Sequence, residues 1–117
     1  MVRSNALLHG ALEALILRTL SWGPRHGYAI ARWLESATEE TLRIEEGSLY
    51  PALYRLEERG LVEAEWGVSE LGRRAKFYRL TPRGRAQLAE RTQEWETFAT
   101  AVSRVLLGAA GQEVVPG

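Results

Sequence analysis

The side chains with the clearest chemical potential in this sequence are its bases. The 117 residues include 15 acidic and 15 basic side chains, a formal net charge of zero, but residues 73–85 hold bases and no acid. Bases clustered in this way can pair with phosphates and release the counterions of a nucleic acid. The ordinary alternative is a solvated, charged face. The bases in this run are Arg73, Arg74, Lys76, Arg79, Arg83 and Arg85.

Groups that support catalysis or metal binding are scarce. The sequence has no cysteine and no aspartate, and its two histidines, His9 and His26, lack the spacing of a metal-binding pair on a helix. Thiol nucleophiles, thiolate zinc sites and iron–sulfur clusters are therefore excluded. The sequence also lacks a glycine-rich phosphate loop. We expect a protein that is not an enzyme, with no catalytic residue, no metal and no cofactor.

The longest apolar region, residues 7–20, is interrupted by His9, Glu13 and Arg18. It is shorter than the roughly 20 apolar residues that a bilayer-spanning helix needs. Only Arg3 precedes it as a positive charge, and no cleavage site of small residues follows, so it is also a poor signal peptide. We expect no membrane partner and a cytoplasmic location.

Hydrophobic periodicity predicts a mostly α-helical chain with one small β-hairpin. The predicted elements are helices 6–20, 26–37 and 46–59, strands 61–66 and 75–80, and a long helix 82–107. Three helices followed by a hairpin is the order of a winged helix-turn-helix, whose third helix enters the DNA major groove and whose hairpin is the wing. Because the run of bases falls on this wing, we favour phosphate contact over a solvated face.

Two features predict a homodimer. The first helix, which includes Leu12, is apolar around more than half of its girth, and this indicates burial against a second subunit as well as the core. On the long helix, Leu88, Trp95 and Val102 recur every seven residues with Phe98 in a matching position, a pattern typical of helix pairing. One polar position interrupts this seam.

These elements divide the chain into three parts. We expect residues 1–80 to form the winged-helix DNA-binding domain and residues 81–107 to form a C-terminal dimerisation helix. The glycine-rich residues 108–117 are expected to be a disordered tail. At 117 residues the chain is long enough for one small core and too short for two.

Three segments carry a more specific pattern. They are GPRHGYAI at 23–30, EEGSLYPALYRLEERGLVEAEW at 45–66 and GRRAKFYRLTPRGR at 72–85. Together they closely resemble the PadR family of bacterial transcriptional regulators, and the resemblance extends over residues 7–107. It implies a winged-helix DNA-binding domain, a C-terminal helix used for homodimerisation, and repression of transcription until an inducer binds. The single C-terminal helix resembles the short subgroup of that family.

The resemblance places the recognition helix at residues 47–59. Ser48 could cap this helix and offer its hydroxyl or its N–H to a phosphate, which would put Pro51 in the first turn. Tyr50 could either contact DNA or pack at the edge of the core. Arg55 is the best candidate for reading a base, because a guanidinium can pair with O6 and N7 of guanine, and its competing use is an internal salt bridge. The candidate DNA contacts on this helix are Ser48, Tyr50, Pro51, Tyr54 and Arg55.

Further phosphate contacts are expected outside the recognition helix. The wing offers Arg73, Arg74 and Lys76. His26 and Tyr28 begin the second helix, where a donor could meet a phosphate, and roles in the core or as a cap are equally open to them.

The resemblance also implies a ligand site. In some short PadR relatives a tryptophan of the C-terminal helix helps to line a central cavity for flat aromatic compounds, and Trp95 matches it. Dry dimer packing is the alternative. The sequence therefore predicts a transcriptional regulator that binds a double-stranded DNA operator, a repressor released by a small aromatic effector. A winged-helix protein-interaction module without an operator is the alternative function.

Overall fold

The computed structural model describes residues 5–108, with side chains from residue 11 onward. Its elements, in chain order, are α1 (Asn5–Leu20), β1 (Arg25–His26), α2 (Gly27–Ala37), α3 (Glu46–Glu58), β2 (Val62–Val68), β3 (Arg74–Leu80) and α4 (Pro82–Leu106). This order confirms the predicted fold of mostly α structure with a small β-hairpin wing. Residues 109–117 of the predicted tail lie outside the described part. Over residues 5–108, no helix is both long and apolar enough to cross a membrane.

Helix α1 runs through the centre of the core and contacts α2, α3, α4 and β3. Its inner side chains Leu12, Ile16 and Leu17 are almost fully buried within the single chain. Between residues 11 and 20, the apolar girth of this helix is therefore explained by its neighbours in the same chain. The interpretation that placed Leu12 at a subunit interface is wrong, because this side chain, 2% exposed, leaves no surface for a second subunit to cover.

Helices α2 and α3 complete the core with regularly spaced apolar residues. The predicted inner stripe of α3, formed by Leu49, Leu53 and Leu56, is confirmed, since all three side chains are buried. They pack in the same cluster as Ile30 and Leu34 of α2. Burial of this stripe orients α3 and decides which of its residues face solvent.

The sheet has three strands in the order β1-β3-β2, all antiparallel. The predicted hairpin is present, and β2 pairs with β3 from Val62 opposite Leu80 to Val68 opposite Arg74. β1 pairs with the other edge of β3, with His26 opposite Phe77. The sequence did not predict β1, because two residues are too few to show an alternating pattern.

Helix α4 begins where the sequence predicted. The Thr81 side chain is the N-cap and accepts a hydrogen bond from the Gly84 N–H, while Pro82 occupies the first helical position. The Thr81 hydroxyl also donates to the Gly60 carbonyl at 2.7 Å, which ties the start of α4 to the end of α3. This 25-residue helix packs on the core only near its beginning, where Gly84 and Leu88 are buried.

Gly84 is expected to be intolerant of any side chain. A Cβ at this position would collide with the Leu61 carbonyl oxygen and lie 2.9 Å from Leu80 Cδ1. We expect Gly84→Ala to lower the free energy of unfolding by at least about 1 kcal/mol, because backbone cannot move aside as a side chain can. The matched control is Gly47→Ala in α3, where a Cβ would meet open space. That variant should gain about 0.5–1 kcal/mol from helix propensity. Urea unfolding of both proteins measures the difference, and equal stability would contradict the predicted collision.

Candidate nucleic-acid interface

The solvent-facing side of α3 is a narrow surface built from small and aromatic side chains. Gly47, Tyr50, Pro51 and Tyr54 are all exposed and lie along one face of the helix, opposite the buried leucine stripe. Tyr54 is 63% exposed. The neighbouring Glu58 carboxylate favours the protonated hydroxyl and raises the pKa of Tyr54 above 10.0. The third helix of a winged helix-turn-helix presents such a face to the major groove.

Tyr50 lies against the start of α2. A Cβ on Gly27 would lie 2.7 Å from Tyr50 Cε1 and 2.8 Å from its hydroxyl oxygen, so only glycine leaves room for this ring. Partial burial, with a smaller effect from the charge of Glu46, raises the pKa of Tyr50. The ring therefore packs on α2 with one side and faces solvent with the other, and its contact with DNA stays a prediction.

The start of α3 differs from the prediction. The helix begins at Glu46 with Glu45 as N-cap, and no side chain caps it. Ser48 is therefore not the cap, and its N–H already donates to the Glu45 carbonyl, so it cannot bind a phosphate there. Pro51 is the sixth residue of the helix, beyond the first turn, and its missing N–H removes one hydrogen bond to the Gly47 carbonyl. The Ser48 hydroxyl and the Pro51 ring remain candidate DNA contacts.

Arg55 has a partner within the chain. Its Nε donates to Glu13 Oε2 of α1 at 3.0 Å. Glu13 Oε1 accepts from Arg59 at 3.2 Å and from Arg91 of α4 at 2.9 Å. In the single chain the guanidinium of Arg55, still partly exposed, is paired with α1, and its role in reading a base stays a prediction. The competing use, an internal salt bridge, is the one observed, although with a different partner from the neighbouring Glu58.

The electrostatics of Glu13 reflect these three arginines. Burial by itself would raise the pKa of Glu13, but hydrogen bonds from Arg55 and Arg91 and the charges of Arg91 and Arg59 outweigh it and lower the pKa below 4.5. In the sequence, Glu13 is evident only as an interruption of an apolar segment. A lone acid within such a segment is the signal that could have revealed a buried ion pair.

This lowered pKa predicts how stability depends on pH. A carboxyl whose pKa is lower in the folded protein stabilises it fully above its unfolded value, near 4.5, and loses this contribution as the pH falls through the folded pKa. We therefore expect Glu13→Gln to be less stable than the parent at pH 7, with the gap narrowing steadily below pH 4.5. Glu63→Gln, which removes an exposed ion-paired acid, is the control. Urea unfolding at several pH values measures both, and a pH-independent gap for Glu13→Gln would contradict the assignment.

His26 is a cap and a core residue. Its Nδ1 accepts a hydrogen bond from the Ala29 N–H at 3.2 Å, which caps α2, and its ring packs edge-on against Phe77. Its buried Nε2 lies 3.5 Å from the Glu70 carboxylate. The phosphate contact considered for His26 is thus corrected, because neither ring nitrogen faces solvent. Tyr28, one residue into α2, is exposed and remains a candidate.

The wing bases differ in what they contact. Lys76 lies 3.4 Å from Glu57 of α3, and Arg79 lies 3.1 Å from Glu63 of β2. The run without acids is therefore partly neutralised by carboxylates from neighbouring elements. Arg74 is stacked over Trp66, with Cζ 4.5 Å from the ring centre. Arg73 is exposed, and over residues 11–108 no carboxylate lies within 4.0 Å of it. Arg73 is thus the wing base best placed to meet a phosphate.

Comparison with known proteins identifies this architecture. Residues 16–90 match the family described as "Transcriptional regulator PadR-like family". The chain belongs to the PadR-like family. It is 41% identical over 71 residues to a transcriptional regulator of Mycobacterium tuberculosis, a match that covers 60% of this chain and 65% of that protein.

Solved structures agree with this PadR-like assignment. A transcriptional regulator from Clostridium thermocellum superposes with a TM-score of 0.78 at 30% identity, covering 86% of this chain and 97% of that one. A PadR-like transcriptional regulator from Bacillus cereus gives a TM-score of 0.76 at 33% identity, covering 90% and 100%. The chain is therefore a DNA-binding transcriptional regulator by family and fold, a class of proteins that are typically not enzymes. Among the side chains of residues 11–108, no group is arranged to hold a metal ion.

On the C-terminal helix of this PadR-like chain, the predicted dimer seam has one buried residue and three residues that are at least partly exposed. Leu88 is 6% exposed and belongs to the core of the single chain, so its placement at the subunit interface is corrected. Trp95 and Phe98 are 59% and 62% exposed, with ring centres 6.3 Å apart. Val102 is half-buried. Of the α4 residues predicted for the dimer interface or an effector site, these last three remain candidates.

Proposed function

We propose that this chain is a homodimeric transcriptional repressor that binds a two-fold DNA operator and is released from it by a small, flat aromatic effector. The observation that carries this proposal is the uncovered face of α3 with the basic wing beside it. The contact between Lys76 and Glu57 fixes the wing against the end of α3, so both elements can reach one duplex. Base edges are then read by α3, and phosphates are bound by the wing.

The dimer is supported by the surface of α4. Beyond its first turns the helix leaves the core and exposes large apolar side chains to solvent, namely Trp95, Phe98, Val105, Leu106 and Leu107. An apolar surface of this kind on a soluble protein is ordinarily an interaction site. The seven-residue spacing of Trp95 and Val102 fits a second copy of the same helix. Two-fold symmetry of the protein then implies two half-sites in the operator.

The operator can be identified by selecting the fragments that the dimer binds from the DNA of its host. We expect recovery of a few sites with an inverted repeat, bound more weakly as the salt concentration rises. Transcription from a recovered promoter in a reconstituted system should fall when the protein is added. Binding without sequence preference would contradict operator recognition and favour the protein-interaction module. Increased transcription would contradict repression but not DNA binding.

The effector is expected to contact Trp95. We expect planar aromatic compounds to quench tryptophan emission in the parent protein, because an indole face can stack on a flat ring. The quenching should be lost in Trp95→Phe. The other tryptophans serve as internal controls, since Trp22 and Trp33 pack together and Trp66 is stacked under Arg74. Quenching that persists unchanged in Trp95→Phe would place the ligand elsewhere and leave the dimer proposal intact.

A further inference from the structure

Glu13 connects three helices through one carboxylate. Arg55 and Arg59 belong to α3, Arg91 belongs to α4, and all three donate to Glu13 of α1. The Glu13 side chain is largely buried, whereas each arginine is partly exposed. The carboxylate has enough acceptor sites for all three arginines, so a single side chain of α1 joins α3 to α4.

The oxygens are divided unequally. Arg55 is alone on Oε2, while Arg59 of the recognition helix and Arg91 of α4 share Oε1 at 3.2 and 2.9 Å. A displacement of Glu13 that follows Arg91 therefore also changes the distance from Oε1 to Arg59. Because hydrogen bonds between charged groups are directional, such a displacement acts on the position of α3 as well as on that of α4.

Arg91 also lies where α4 leaves the body of the protein. Leu88, one turn earlier, is in the core, and every residue from Thr92 to Phe98 is exposed. The ion pair of Arg91 with Glu13 is the last charged contact between this helix and the body, over residues 11–108. We therefore expect the ion pair of Arg91 to influence the direction of the exposed part of α4 that begins at Thr92.

We propose that Glu13 is a positioning residue that couples the direction of α4 to the position of the recognition helix. Its effect on DNA depends on the proposed function, since the spacing of two recognition helices matters only in a dimer on a two-fold operator. In that setting the pairing through Glu13 fixes the half-site spacing that the dimer accepts. A change at the dimer helix is transmitted to α3 through a short, contiguous set of ion pairs.

The decisive variant is Arg91→Met, which removes the connection to α4 and leaves Glu13 paired with Arg55 and Arg59. Arg85→Met is the matched control, because Arg85 is an exposed arginine of the same helix with no carboxylate within 4.0 Å over residues 11–108. Arg91→Lys is a milder variant, because it keeps the positive charge but lacks the planar guanidinium with its several N–H donors. Circular dichroism verifies that each variant is folded.

The first measurement needs no DNA. The chain has no cysteine, so spin labels can be attached at Glu46→Cys on α3 and Glu96→Cys on α4, both exposed positions. Labelled chains are diluted with unlabelled chains so that only distances within one chain are recorded. We expect Arg91→Met to broaden the distance distribution and shift its mean by about 1–2 Å, the scale of helix shifts in switching proteins. Arg91→Lys should give an intermediate result, and Arg85→Met should match the parent.

The second measurement uses a recovered operator and versions with the half-site spacing changed by one base pair. The parent should bind the natural half-site spacing more tightly than the changed spacings. In Arg91→Met, the ratio of these two affinities should fall by about three- to tenfold. A purely structural role would lower the affinity for all spacings equally. An unchanged distance distribution in Arg91→Met overturns the proposal. If the parent binds no specific DNA, the proposed function fails, and the distance measurement still decides the role of Glu13.

Discussion

Replacing Trp95 and Phe98 together by glutamate is expected to convert the proposed dimer into folded monomers and to lower operator affinity by about 100-fold or more. Both side chains are more than half exposed in the single chain, so the winged helix itself loses little packing. A charge in their place would have to be buried without a partner in the α4 interface, which strongly opposes association. The loss on DNA follows because a monomer contacts one half-site and no longer gains from the second.

Sedimentation measures the mass, and a fluorescence titration with labelled operator measures the affinity. Trp22→Glu is a matched control, because Trp22 has the same 59% exposure as Trp95 but follows α1, far along the chain from α4. It should remain dimeric and bind the operator normally. Retention of the dimer by the Trp95 and Phe98 double variant would mean that the subunits meet through another surface.

The fold was largely predictable because its elements are defined by local periodicity. The leucine stripe of α3 and the Thr81-Pro82 start of α4 each depend on residues that are close in sequence. The structure contains both. β1 could not be predicted in this way, since two residues have no period and form a strand only because β3 offers an unpaired edge. Likewise, α3 begins at Glu46, two residues before Ser48, and nothing in the sequence pattern marks this start.

The site was only partly predictable, because helical spacing shows which residues share a face but not what a distant segment brings to it. Arg55 and Glu13 lie in different helices, 42 residues apart, so helical spacing cannot show that they meet. His26 could cap, pack or bind, and the choice depended on Phe77 and on the Ala29 N–H. Leu88 fits a seven-residue repeat equally well as a core residue and as an interface residue, and only the path of α4 decides between them.

The exposed face of α3 and the wing are expected to contribute differently to DNA binding. Tyr54→Ala should lower operator affinity by about 10- to 100-fold and random-DNA affinity much less, because side chains in the major groove contact base edges and thymine methyl groups. The Tyr54 ring is 63% exposed, so its face is available to a base. Tyr54→Phe keeps that ring and should retain most of the preference for the operator.

Arg73→Ala should lower affinity for operator and random DNA by similar factors. Arg73 has no carboxylate within 4.0 Å over residues 11–108 and is exposed, so a phosphate would be its principal partner. Losing one phosphate contact should reduce the slope of log affinity against log salt by about one. Titrations of each variant on both DNAs at four salt concentrations separate the two classes. A selective loss on the operator for Arg73→Ala, or an equal loss on both DNAs for Tyr54→Ala, would reverse the roles assigned to the wing and to α3.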